Sequence, residues 1–95
     1  MPKVKVKYLG VLSPMISRNG EYVEVEEPAT VGDLINMLGL RYGEKFRCSL
    51  QHADGSLIWG DVAIVVDGHP VHDADFPLSG KREIEIALIP MIEGG

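Results

Sequence analysis

From Lys3 to Leu9 the chain reads Lys-Val-Lys-Val-Lys-Tyr-Leu, which places Val4, Val6 and Tyr8 on one face and three lysines on the other. That period of two predicts a half-buried strand. Gly10 to Gly20 carries glycine, proline, serine and a closing Asn19-Gly20 pair, so the chain is expected to reverse there. A second alternating segment, Glu21 to Glu27, has Val23 and Val25 between Tyr22, Glu24 and Glu26. Paired antiparallel to the first strand, it would set glutamates opposite Lys3, Lys5 and Lys7, each facing pair contributing about 0.2 to 1 kcal/mol.

The period then changes. Thr30-Val31-Gly32-Asp33 has the form of a capping box, and Val31, Leu34, Ile35 and Leu38 recur at spacings of three and four, which predicts an amphipathic helix from Val31 that stops at Gly43. Gly39 lies inside it, where alanine would be better by about 1 kcal/mol. Glu44 to Asp61 shows neither period, so we expect a long connection with a turn at Asp54-Gly55, a short helical turn near Phe46 and a small extra strand near Leu57. Val62 to Asp67 is a nearly continuous apolar run that suits an interior strand turning at Asp67-Gly68, with Val71 as a short return. Asp73 to Gly80 reads as a loop. Glu83 to Ile89 alternates again with Ile84, Ile86 and Leu88 inward, and Pro90 ends it.

Two strands, one main helix and two further strands form an α+β pattern. The helical connection must return the chain to the same sheet, and right-handed crossover places a later strand parallel to the first. The expected fold is a β-grasp arrangement: a mixed sheet of four to five strands with the helix stripe packed on Val4, Val6, Val23, Val25, Ile84 and Ile86. The other sheet face stays open. Residues 1–90 would form this domain and 91–95 a flexible tail ending in a free Gly-Gly.

Composition narrows the function. At 95 residues there is room for one domain. Nine basic against fourteen acidic residues leave a net charge of −5 with the cations scattered, which argues against a nucleic-acid partner. A single cysteine, Cys48, suits a reducing compartment and no internal disulfide. The alternating start is unlike a signal peptide and no run has the length of a membrane span, so we expect a cytoplasmic protein with no membrane partner.

The chemistry is expected at the end of the chain, Pro90-Met91-Ile92-Glu93-Gly94-Gly95. Without side chains, Gly94 and Gly95 can thread a narrow channel and present an α-carboxylate to the buried site of another enzyme. A carboxylate is a poor electrophile at neutral pH, and conversion to an acyl-adenylate lets a thiol, persulfide or amine attack it. The plainer alternative is an inert end, since termini are often without a role.

Taken in order, Val4-Lys5-Val6-Lys7-Tyr8, Ala29-Thr30-Val31-Gly32-Asp33-Leu34, Arg41-Tyr42, Val65-Val66-Asp67-Gly68 and Ile89-Pro90 leading to Gly94-Gly95 resemble the MoaD/ThiS family of ubiquitin-like sulfur carriers, most closely the molybdopterin synthase small subunits. Two positions depart from the family pattern: Glu93 stands where a small residue is common, and Lys81-Arg82 follow Gly80 where Gly-Asp is common. The resemblance implies that Gly95 is adenylated by a ubiquitin-activating-type adenylyltransferase that uses ATP. It further implies conversion to a thiocarboxylate and delivery of sulfur to a pterin precursor on the large subunit of molybdopterin synthase. The chain itself would bind no cofactor and would have no active site apart from its terminus. Other carrier pathways (thiamine, cysteine or tRNA thiolation), a protein modifier joined to lysines, and an inert interaction module are the alternatives.

The expected partner-binding residues are Met91, Ile92 and Glu93 of the tail, with Phe76, Leu78 and Ile89 as an apolar surface beside it; the alternative for Phe76 and Leu78 is a place in the core. An acidic carrier also calls for a basic rim on its partner. His69, His72, Asp73 and Asp75 could suggest a metal site, but Pro70 rules out a shared helical face and a solvated turn is the better reading. No metal is expected. Cys48 has no evident histidine partner and reads as a small hydrophobe rather than a nucleophile.

Overall fold

The fold is described from a computed structural model, which covers residues 3–89. The alternating start forms β1 (Lys3–Gly10), with Val4, Val6 and Tyr8 buried as their period requires. The reversal after it holds a short helix, α1 (Leu12–Ile16), where turn residues alone were expected. Pro14 is tolerated because it lies in the first turn, where N–H groups lack intrahelical partners in any case. α1 buries Leu12 against the core.

β2 (Gly20–Glu24) pairs antiparallel with β1 and ends three residues earlier than the alternation predicts. Val25 is still buried, so the alternation there reflects packing of a loop residue rather than a longer ladder. The expected lysine–glutamate facing is realised only at Lys3 and Glu24. Lys5 faces Tyr22, over whose ring its Nζ lies at 6.0 Å, and Lys7 faces Gly20. Glu21 faces Val6 on the core side, where its carboxylate is almost enclosed. There it accepts from the Tyr8 hydroxyl at 2.5 Å, from the Tyr42 hydroxyl, and from Arg18 and Arg41 at 3.1 and 3.0 Å.

The main helix, α2 (Val31–Tyr42), begins with the predicted reciprocal cap: the Asp33 N–H donates to Thr30 Oγ1 at 3.2 Å, and the Thr30 N–H to Asp33 Oδ2 at 3.0 Å. Two further N–H groups of its first turn, from Val31 and Gly32, donate to the carbonyls of Phe76 and Ala74. Val31, Leu34, Ile35 and Leu38 are all buried against the sheet. Gly43, at φ 92°, closes α2 and starts α3 (Glu44–Leu50), which buries Phe46 and Leu50 at i,i+4. The stem of Arg47 lies across Gly39, where a Cβ would come within 2.6 Å of it, so the glycine admits the neighbouring helix. The extra strand expected near Leu57 is reduced to a single bridge between Gln51 and Leu57.

β3 (Val62–Val66) and β4 (His69–Val71) form a hairpin through Asp67 and Gly68, both at positive φ as a two-residue turn of the primed type needs. β5 (Glu83–Leu88) then enters between β1 and β3. The sheet order is β2-β1-β5-β3-β4, with β1 and β5 parallel and the other pairs antiparallel, which is the β-grasp expected from the element order. The residues named as its core, Val4, Val6, Val23, Val25, Ile84 and Ile86, are all buried. None of the helices among the described residues is long and apolar enough to cross a membrane. The proposed boundary after residue 90 and the tail 91–95 lie outside the described residues.

Candidate functional site

β5 matters because of where it delivers the chain. It is the central strand, hydrogen-bonded to β1 on one side and β3 on the other, and its last residues are held from both directions. The Val11 N–H donates to the Leu88 carbonyl at 3.1 Å, and the Ile89 N–H donates to the Asp61 carbonyl at 2.9 Å. Gly10 makes the first of these contacts possible: it sits at φ 67°, and a Cβ there would lie 2.3 Å from the Leu88 carbonyl oxygen. The exit point toward residues 90–95 is therefore fixed by backbone bonds on two neighbouring segments.

Apolar side chains surround that exit. Ile89 is 62% exposed, and Leu9 and Val11 are each 42% exposed. On the open face Leu9 stands beside Ala87, and Ala87 beside Ala63, an uncharged row across three strands. Below this row the face turns ionic. Lys7 Nζ lies 3.0 Å from Glu83, whose hydrogen bond and negative charge hold the ammonium above its usual range.

Of the expected partner-binding residues, Ile89 is where the alternation places it, at the exit and exposed. Leu78 is not on the surface: it is 2% exposed, and its N–H donates to the Ala29 carbonyl at 2.8 Å. Phe76 is half-buried against the core, with Lys81 Nζ 5.6 Å from its ring centre. Both belong to the segment that caps α2 and leads into the start of β5, at the far end of that strand from the exit. Of the two places open to this loop, surface or core, the unpaired N–H groups at the start of α2 select the inner one. Met91, Ile92, Glu93, Gly94 and Gly95 lie outside the described residues.

Leu9 and Val11 were absent from the expected surface. Their signal was present in the chain, since Leu9 occupies the face otherwise taken by Lys3, Lys5 and Lys7 and breaks its charge. His72 packs edge-on to Trp59 with ring centres 6.3 Å apart, and among the described residues no group of three or more His, Cys, Asp or Glu side chains converges as a metal site. Cys48 is exposed on α3, its Sγ 3.7 Å from Glu44 Oε2 one turn earlier.

Comparison with known proteins adds to this geometry. Three solved structures resemble the chain along its whole length. Small archaeal modifier protein 1 from Haloferax volcanii superposes with a TM-score of 0.75 at 21% identity, covering 99% of this chain and 100% of that one. A Pyrococcus furiosus protein assigned provisionally as molybdopterin converting factor subunit 1 gives 0.69 at 29% identity, covering 97% and 100%. A complex of subunits 1 and 2 of the molybdopterin-converting factor from Helicobacter pylori gives 0.52 at 20% identity, covering 99% and 100%. No curated protein matches. The sequence model of the ThiS family matches residues 6–95, nearly the whole chain and through both terminal glycines, so the protein belongs to the ThiS family, with the β-grasp fold of ubiquitin-like sulfur carriers.

Proposed function

We propose that the chain is a sulfur carrier that works through the α-carboxylate of Gly95, as the small subunit of a molybdopterin synthase. The observation that carries this reading is the family match, which runs on past β5 to Gly95 itself. In the proposed cycle an adenylyltransferase of the ubiquitin-activating type presents ATP, and a carboxylate oxygen attacks its α-phosphorus with release of pyrophosphate. Hydrosulfide from a sulfur donor then adds to the acyl carbon and expels AMP, which keeps the original oxygen, leaving a thiocarboxylate. The large subunit receives this end and directs its sulfur to a pterin precursor.

The chain's part is to hold the reactive end at a fixed origin and to offer a surface beside it. β5 supplies the origin, and residues 90–95 add a span of at most about 20 Å. Leu9, Val11 and Ile89 supply an apolar surface that, with Met91 and Ile92, would seat the activating enzyme and the large subunit in turn. The Pyrococcus relative and the two-subunit Helicobacter complex support the molybdopterin assignment. Deletion of Gly95 tests it: molybdopterin formation by the reconstituted synthase should be lost while the melting temperature is unchanged, and retained formation would refute it.

The likeness to small archaeal modifier protein 1 favours a second reading, in which the activated Gly95 is joined to lysine amines of other proteins. Conjugates in extract that survive reducing agent and disappear with the Gly95 deletion would select it.

A further inference from the structure

We propose that the free edge of β2, with the groove between it and α2, docks an extended partner segment that alternates apolar and basic side chains, added to the sheet as a sixth strand. The Tyr8 N–H donates to the Asn19 carbonyl at 2.8 Å, which sets the phase of the β1–β2 ladder. Pairs 8/19, 6/21 and 4/23 are then the mutually bonded ones, so the backbone groups of Tyr22 and Glu24 point away from β1. β2 is the outermost strand, and no other backbone group among the described residues takes them up. Open edges are common; what distinguishes this one is the groove beside it.

That groove, of about 430 Å³, runs from the end of β2 to the first turns of α2. Val25, Ala29 and Leu34, themselves nearly buried, form its apolar floor beside the half-buried Met37, and Glu24, Glu26 and Asp33 stand around them. Among the described residues no ion pair engages these three carboxylates, although Lys3 stands opposite Glu24 on β1. An extended segment alternates its side chains, so one set can enter the apolar groove while its backbone bonds to Tyr22 and Glu24. The carboxylates, on a chain of net charge −5, require that the flanking side chains be basic. They also act against a second copy of the chain, because β2-to-β2 pairing would gather the glutamates of both copies. Glu24 faces the first residue of β1, whereas the exit of β5 faces the last, so the two ends of the sheet are about 23 Å apart at ~3.3 Å per residue. A partner on β2 would leave Gly95 available.

The test uses the intact, isotopically labelled chain and a blocked hexapeptide alternating lysine and valine. Saturable amide shifts should centre on Tyr22, Glu24, Val25, Leu34 and Met37, with exchange of the Tyr22 and Glu24 amides slowed about tenfold. A lysine–serine hexapeptide of equal charge should bind about tenfold more weakly, and a glutamate–valine one should not bind. Tyr22→Pro removes an outward N–H without breaking the β1 ladder and should abolish the slowed exchange. Glu24→Lys combined with Glu26→Lys should weaken binding about tenfold. The proposal is overturned by an equal response to the lysine–serine peptide, by shifts centred on the open sheet face, by dimers formed through β2 without peptide, or by no saturable shift.

Discussion

Glu21 shows how much a single side chain can organise. It accepts from two tyrosines and two arginines that come from β1, the α1–β2 loop and α2. Burial alone would raise its pKa, but the hydroxyls of Tyr42 and Tyr8 and the charges of Arg41 and Arg18 outweigh it and hold the carboxyl below the usual range. The unfolded chain therefore binds this proton more readily. The stability Glu21 contributes is fully present above about pH 5 and is lost as pH falls through ~4.3 toward the lower folded value. Denaturant melts between pH 3 and 7 should show that slope, and Glu21→Gln should flatten it. Glu21→Ala, which leaves the buried hydroxyl of Tyr8 without its acceptor, should cost about 1 to 3 kcal/mol at pH 7. Gly10 is the second sensitive position. Its positive φ and the 2.3 Å approach to Leu88 leave no place for a methyl group, so Gly10→Ala should destabilise by about 2 kcal/mol or more in the same melts.

Among the elements, those with a sustained period were legible and those made by a few contacts were not. β1, α2 and β5 each repeat their apolar spacing over three or four positions, and α2 adds a cap whose two hydrogen bonds can be read from Thr30 and Asp33. Thr30→Ala should accordingly lower stability by about 1 kcal/mol, measured by thermal or denaturant melts. α1 has one buried residue, Leu12, which makes no period, and its proline reads as a breaker unless its place in the first turn is known. α3 has the single pair Phe46 and Leu50. Gly39 was legible as a weak point of α2 but not as the place where Arg47 crosses it. Gly39→Ala should thus fail to deliver the gain of about 1 kcal/mol expected from helix propensity alone. At the candidate site the alternation of β5 placed Ile89 correctly. Between surface and core, Leu78 takes the core, and the demand of α2 for hydrogen-bond acceptors that decides this is a tertiary fact the loop sequence does not display.

For the whole molecule, the proposed function makes the β-grasp sheet a mount. Its central strand carries the chain to an exit fixed by Val11 and Asp61, with Leu9, Val11 and Ile89 exposed around it. Charging that surface by Leu9→Asp with Ile89→Asp should leave the melting temperature within a few degrees of the parent, since both side chains are already exposed. It should weaken capture by the proposed activating enzyme at least about tenfold, as surface binding assays would report. The family match runs through Gly95, on which the proposed function of the mount rests, and one measurement addresses that proposal most directly. The intact chain is incubated with an adenylyltransferase of the ubiquitin-activating type, ATP and a sulfur donor, and the C-terminal peptide is then weighed by mass spectrometry. The account predicts one oxygen exchanged for sulfur at Gly95, dependent on ATP and absent when Gly95 is removed; a terminus that stays an unmodified carboxylate in the presence of active enzyme and donor would contradict it.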